Sequence, residues 1–267
     1  MKEQIWTQIE AVRQQSPLVH SITNYVVMNN TANALLAVGA SPIMAHAHPE
    51  MADMVSIAGA LVINIGTLDE YWVKSMMLAI EQANVSGKPW VLDPVGAGAT
   101  LYRDEVLQQI LVQKPSIIRG NASEILALAN KNTTQTKGVD STNASTDAVL
   151  AAKQLNEEFG SVVCISGAID IIVGQGKIIK LSNGHPLMAK VTGMGCTATA
   201  LTGAFVAVNP QGQFWASVSA MALMGVAGQI AANLAKGPAS LQLHFLDTLY
   251  QLTQQDFLQY IQVDEYE

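Results

Sequence analysis

The chain has 267 residues, 49% of them hydrophobic, with 21 acidic against 14 basic side chains and a formal net charge of −7. That length supports one large α/β domain with a substantial core, and the acidic balance argues against a nucleic-acid partner. Charged residues make up only 13%, which suits a surface partly covered by other subunits, and the two cysteines, Cys164 and Cys196, form neither a disulfide framework nor a metal-ligand spacing.

The opening MKEQIWTQIE is amphipathic and polar rather than a secretory signal, so a reducing, cytoplasmic setting is expected. It begins a helix that runs to about Gln15 and stops at Ser16-Pro17. Asn24 to Val38 is dense in Ala, Val and Leu and predicts a second helix, ended by Gly39. SPIMA (41–45) predicts a short strand, and Pro49 opens another helix. ALVINIG (60–66) is a continuous apolar run, the pattern of a strand buried on both faces. A helix from Leu68 to Ala83 follows, then PWVLDPVGAGA (89–99), a buried strand running into a glycine-rich loop. A helix from Asp104 to Val112 leads to the strand SIIRGN (116–121). The polar stretch 131–146 reads as a loop or lid. SVVCISG (161–167), DIIVGQG (170–176) and KIIKLSN (177–183) are closely spaced strands with glycine turns, hence hairpins. Helices at 196–208, 214–235 and 239–260 complete the chain. Phe214 to Ala235 has no charge over a bilayer-crossing length, but it is rich in Ala, Ser, Gly and Gln and lacks flanking basic clusters. It reads as a helix buried in protein, with no membrane involved.

The β-α alternation predicts an α/β fold with a mostly parallel central sheet, helices on both faces, and a single domain over 1–267. Ligands bind at the carboxyl ends of parallel strands. Asp93, Arg119 with Asn121, and Ser166 lie at three such ends, and the turn Val191–Cys196 follows the last hairpin. These four points are expected to face one crevice. Gly193-Met194-Gly195-Cys196-Thr197-Ala198 fits G-x-G-x-x-A, but it comes late, and no acid lies between Asp170 and Asp247 to bind a ribose. An NAD site is therefore disfavoured. The physics beneath the motif remains: glycines let the backbone approach a ligand, and a helix N-terminus binds an anion. Lys177, Lys180, Lys190 and Lys236 in the same acid-free stretch predict a locally positive region suited to a polyphosphate. The plainer alternative is a glycine turn needed only for packing. Taken alone, Asp93 reads first as a helix cap or turn former, and Asn121-Ala-Ser-Glu124 as a capping box. Together the two carboxylates are suited to a hydrated magnesium ion. His46 and His48 have no further ligand for zinc, Met44 is by default a core methionine at a strand end, and Cys164 lies mid-strand as packing.

Four segments taken together, VHSITNYVVMNNTANALLAVGASPIMA, DPVGAGAT, IIRGNASEI and VTGMGCTATA, resemble the hydroxyethylthiazole kinases of thiamin salvage, within the ribokinase-like superfamily. The resemblance covers nearly the whole chain, and its first block sets it apart from sugar kinases and from the pyridoxal and pyrimidine kinases. It implies phosphorylation of the primary alcohol of 4-methyl-5-(2-hydroxyethyl)thiazole by ATP with magnesium. By the same resemblance Met44 would contact the thiazole, and Gly193 would lie against it through its backbone. Arg119 and Ser166 would contact ATP, although the family often has Thr at the latter position. Asp93 and Glu124 would serve magnesium and its waters. Cys196 stands where ribokinase-like enzymes commonly place an aspartate base, and its helix N-terminus is expected to lower the thiol pKa. The family is similar in forming trimers with the thiazole site between subunits. Two other readings stay open here: a kinase of the same fold acting on pyridoxal or hydroxymethylpyrimidine, and a vitamin- or nucleotide-binding protein without catalysis.

Overall fold

The runs at 60–64 and 90–93 show no apolar–polar alternation because every residue in them is buried, as in a sheet covered on both sides. The structure, a computed structural model, describes residues 1–131 and 144–266. In chain order its elements begin with α1 (Lys2–Gln15), β1 (Leu18–Ile22), α2 (Met28–Val38), β2 (Ser41–Ile43), α3 (Met51–Ile57) and β3 (Ala60–Asn64). Next come α4 (Glu70–Val85), β4 (Trp90–Asp93), α5 (Leu101–Leu111), β5 (Ile117–Asn121) and α6 (Ala122–Lys131). The chain continues with α7 (Ala144–Phe159), β6 (Val162–Ser166), β7 (Asp170–Gly174) and β8 (Lys177–Leu181). It ends with α8 (Met194–Val208), α9 (Gln213–Leu234), α10 (Pro238–Gln251), α11 (Gln254–Tyr260) and β9 (Val263–Glu265).

Among the described residues one sheet runs in the order β2-β1-β3-β4-β5-β6-β7-β8-β9. The pairings from β2 to β6 are parallel, and those from β6 to β9 are antiparallel. This is the expected α/β architecture, with the predicted hairpins forming its antiparallel end. Each face carries its own core. Val19, Val62, Val91 and Ile117 pack with α1, α2, α8, α9 and α10 on one side. Leu61, Ile63, Leu92 and Ile118 pack with α3 to α7 on the other. At about 25 cal/mol per Å² of apolar surface removed from water, these two layers dominate the favourable side of folding.

Local signals set the element ends. Ser16, at φ 45°, turns α1 off with its N–H on the Val12 carbonyl, and Gly39, at φ 97°, ends α2. Asp69 and Thr100 accept backbone N–H groups at the starts of α4 and α5. Arg13 of α1 donates to the carbonyls of Leu249 (3.1 Å) and Leu252 (2.8 Å), which ties the first helix to the end of α10.

Several boundaries differ from the sequence reading. Strand β1, the helix α7 after 144 and the short edge strand β9 were not anticipated. The second helix starts at Met28 rather than Asn24, because residues 25–27 form a turn. The helix expected over 239–260 is two helices, broken at Leu252-Thr253, where Thr253 caps α11 by accepting the Asp256 N–H. The expected loop or lid at 131–146 lies mostly outside the described residues. The apolar helix α9 is long enough to cross a membrane, but it is buried inside the protein against α1, α8 and α10.

Candidate active site

Asp93 closes β4, in register with Asn64 at the end of β3. Its Oδ2 accepts hydrogen bonds from Asn64 Nδ2 (2.7 Å) and from Thr199 Oγ1 of α8 (2.7 Å). Burial pushes the Asp93 carboxyl up to about 6; the Arg119 charge and the two donors oppose that rise, and the Glu124 charge adds to it.

Asn64 Oδ1 accepts in turn from Asn24 Nδ2 (2.8 Å) and from the Gly66 N–H (2.9 Å). Asn24 stands two residues beyond β1, and its amide lies 3.4 Å from Cys196 Sγ. Cys196 is in the first turn of α8, which Gly193 opens at φ +82°. A Cβ on Gly193 would also meet Val27 Cγ1 at 2.6 Å, so space and backbone both demand glycine there. The expected fall in the Cys196 pKa is overturned. Burial raises it and the Asp93 charge raises it further, against the Asn64 and Asn24 amides and Arg119. Lost water and a nearby carboxylate outweigh the helix terminus.

Arg119 sits on β5 beside Cys164 of β6, and its Nη2 donates to Ser166 Oγ (2.7 Å). Its Nε is buried without a partner among the described residues. A Cβ on Gly195 would lie 2.8 Å from Nη1, so the glycine admits the guanidinium to the start of α8. A cavity of about 610 Å³ opens here, lined by Arg119, Ser166, Asp170, Asn183, Gly195 and Met224 among others. Asp170, not singled out in the sequence, starts β7 and accepts the Gly167 N–H (3.0 Å); burial pushes it up to about 6.

Glu124 and Asn121 form the reciprocal capping box that their spacing predicts: Asn121 N–H donates to Glu124 Oε2 (2.8 Å) and Glu124 N–H to Asn121 Oδ1 (2.9 Å). Glu124 Oε1 also accepts the Gly96 N–H (3.0 Å) and so anchors the glycine-rich loop after Asp93. Arg103 holds the same loop from α5, bonding the carbonyls of Val95 (2.9 Å), Gly66 (2.8 Å) and Ile65.

The crevice thus gathers Asp93, Arg119, Glu124, Ser166, Gly193 and Cys196. Met44 stands apart, half-buried just beyond the edge strand β2, with β1 and β3 between that strand and β4. Two of the four lysines lie away from the expected region. Lys177 lines a different cavity at the β7–β8 turn, and the Lys180 ammonium lies 3.9 Å from the centre of the Tyr266 ring. The hairpin carries these two away, whereas Arg119 lines the first cavity. His46 lies tilted against Trp72, with ring centres 4.1 Å apart, and His48 stacks on Tyr71 at 3.8 Å. Asn24, Asn64 and Thr199 escaped sequence reading. The available signals were two asparagines at strand ends and a threonine three residues after Cys196.

The mostly parallel sheet, with this crevice at its strand ends, has the ribokinase-like fold. A ribokinase-like superfamily protein from Enterococcus faecalis shares the fold at a TM-score of 0.65 and 13% identity, over 89% of this chain and 87% of that one. The hydroxyethylthiazole kinase family model matches residues 9–255. A hydroxyethylthiazole kinase of Syntrophus aciditrophicus is 55% identical over 262 residues, 98% of this chain and 97% of that protein. The hydroxyethylthiazole kinase structure from Pyrococcus horikoshii superposes with a TM-score of 0.92 at 43% identity, over 100% of both chains. The chain belongs to the hydroxyethylthiazole kinase family and is a kinase.

Proposed function

We propose that the protein phosphorylates the primary hydroxyl of 4-methyl-5-(2-hydroxyethyl)thiazole with ATP, in thiamin salvage, and that the whole chain acts as one kinase domain. The observation that carries this reading, beside family membership, is the buried Arg119 guanidinium at the first turn of α8, next to Asp93 and Cys196. A guanidinium and free helix N–H groups meeting in one cavity suit the phosphates of ATP, and Ser166, bonded to Arg119, contacts the same nucleotide.

The donor set fits magnesium. Asp93 Oδ1 makes no hydrogen bond among the described residues, and a buried carboxylate held above its ordinary value gains from a cation. Glu124, with both oxygens on backbone N–H groups, suits an ion reached through waters. Asp93 and Glu124 would hold the hydrated ion, which when bound neutralises charge on the transferring phosphoryl group. Cys196, as thiolate, accepts the alcohol proton late, as the new oxygen–phosphorus bond forms and the bond from the γ-phosphorus to the departing ADP oxygen breaks. Its raised pKa makes the thiolate the minor form in the resting site, so positioning and charge stabilisation carry most of the rate.

The working unit is a homotrimer with the thiazole between subunits, against Met44 and the Gly193 backbone. Met44 at the sheet edge and the exposed Val26 and Leu36 support this assembly. The free thiols of Cys164 and Cys196 suit the cytoplasm. A coupled ADP assay with magnesium and ATP tests the reading against hydroxyethylthiazole, pyridoxal and hydroxymethylpyrimidine. Turnover with the thiazole alone is expected. Preferred turnover of pyridoxal would overturn the substrate, and turnover of none would overturn catalysis.

A further inference from the structure

Two buried asparagines separate the candidate magnesium-side carboxylate from the candidate proton acceptor, and each bonds a group of the crevice as well as a nearby backbone N–H. Asn64 ends β3 and is 1% exposed; Asn24 follows β1 and is 4% exposed. Burying an amide costs free energy unless its donors and acceptors are matched. Here they are matched almost wholly by groups of the crevice. Asn64 donates to Asp93 Oδ2 and accepts from Asn24 and Gly66. Asn24 donates to Asn64 Oδ1 and to Cys196 Sγ, and accepts the Val26 N–H at 3.2 Å. The chain Asp93–Asn64–Asn24–Cys196 therefore runs unbroken from the end of β4 to the first turn of α8. Thr199, one turn further along α8, closes it back onto Asp93 Oδ2.

We propose that Asn24 and Asn64 are positioning residues for phosphoryl transfer. Their amides fix the separation and orientation of the Asp93 carboxylate and the Cys196 sulfur, so that one Asp93 oxygen is held by protein and the other is left for the reacting groups. Two hydrogen bonds on Oδ2 remove the rotational freedom of the carboxyl group. The Asn24 NH2 group, with one hydrogen to Asn64 Oδ1 and the other to the sulfur, does the same for the thiol. Amides suit this task because they donate and accept without adding charge between a carboxylate and incoming phosphates. The inference rests on the reading of Asp93 and Cys196 given above.

The test is a double-mutant cycle on turnover, with Asn24→Ala, Cys196→Ala and the double variant assayed at saturating thiazole and magnesium ATP. Asn24→Ala is expected to lower kcat about 10- to 100-fold while both KM values stay within about threefold. In the Cys196→Ala background the same change is expected to cost much less, because its target is gone. Asn24→Asp keeps the shape but loses the donors and adds charge, so it should be worse than alanine; a purely structural role predicts the reverse order. Asn24→Ser serves for the cycle if the alanine variant does not fold, and unfolding of both variants would make Asn24 a residue of the fold and sink the proposal. Full additivity of the two losses would sink it alone. A Cys196→Ala enzyme as fast as wild type would instead remove the proton-acceptor assignment on which it rests.

Discussion

Cys196 and Asp93 show how one buried site treats two acids. Burial and the Asp93 charge hold the thiol above its ordinary value, whereas an aspartate at the same point starts from about 3.9 and stays ionised at pH 8 even if raised by two or three units. Cys196→Asp is therefore expected to turn over at least as fast as the natural enzyme. Cys196→Ala should be slower, by less than the 10²–10⁴-fold typical of general-base loss, because the transition state is loose. Turnover at saturating substrates, after circular dichroism confirms folding, checks both; an inactive aspartate variant beside an unimpaired alanine variant would reduce Cys196 to packing. Asp93 carries a stability cost as well. Its folded value of about 6 lies above its unfolded value, so its contribution is most favourable below about pH 4 and is lost as pH rises through 6. Asp93→Asn keeps an oxygen for Asn64 and Thr199 and removes that cost. It should raise Tm at pH 8 by a few degrees, on the order of 2–3 kcal/mol, with little gain at pH 4 and with loss of turnover. A lower Tm at pH 8 would show that the carboxylate is better compensated than its burial indicates. Asp93 and Arg119 were legible as polar residues at the ends of apolar runs, and Cys196 by its place after the glycine turn. Asn24 and Asn64 were not, since a buried asparagine is recognised only by partners far along the chain.

At the scale of elements, strand β1 shows why polar letters mislead. The stretch LVHSI contains His20 and Ser21, yet four of its five residues are buried. His20 is satisfied on one side only: Nε2 donates to the Ala45 carbonyl at 2.8 Å, and Nδ1 is buried without a partner among the described residues. Burial lowers its pKa, so the ring stays neutral. The segment beyond β2 is thereby strapped down, while Ser75 Oγ donates to the His46 carbonyl (2.6 Å) and the His46 ring lies tilted against Trp72. Met44 lies in this segment. His20→Leu is expected to raise KM for the thiazole several-fold and leave KM for ATP unchanged, while His20→Gln, which retains a donor, should restore most of the affinity. Equal rises in both KM values would mean that the strap serves the sheet rather than Met44. Strands β3, β4 and β6 were readable because burial on both faces leaves largely apolar runs, and β5 by the apolar start of its run before Arg119. The edge strand β9, with its exposed Asp264 and Glu265, carries no such pattern.

The molecule as a whole has few charges and keeps its two cores on opposite sides of one sheet. Its exposed apolar side chains include Val26, Leu36 and Ile57, on the segments before α2, along α2 and at the end of α3. Light scattering at micromolar concentration is expected to give three times the chain mass of 28.4 kDa. Leu36→Glu should shift that mass downward and raise KM for the thiazole together, because the proposed site spans subunits. A monomer from the unaltered protein, or a Leu36→Glu trimer with unchanged kinetics, would contradict the assembly and this face respectively. Composition pointed to covered surface but could not say which face, since exposure depends on packing between distant helices.

The attachment of α1 to the end of α10 has a consequence during synthesis. The stripe Ile5, Trp6, Ile9 and Val12 is buried in the same core as Phe245, Leu249 and Phe257, and Arg13 waits for the carbonyls of Leu249 and Leu252. In synthesis α1 is thus made well before α8 and α9, against which it packs, and before the carbonyls that Arg13 binds at the end of α10. At about 5–20 residues per second that interval is roughly ten to fifty seconds. Until α8 and α9 follow, the nascent chain presents the apolar stripe of α1 uncovered, and a product terminated before them keeps it exposed.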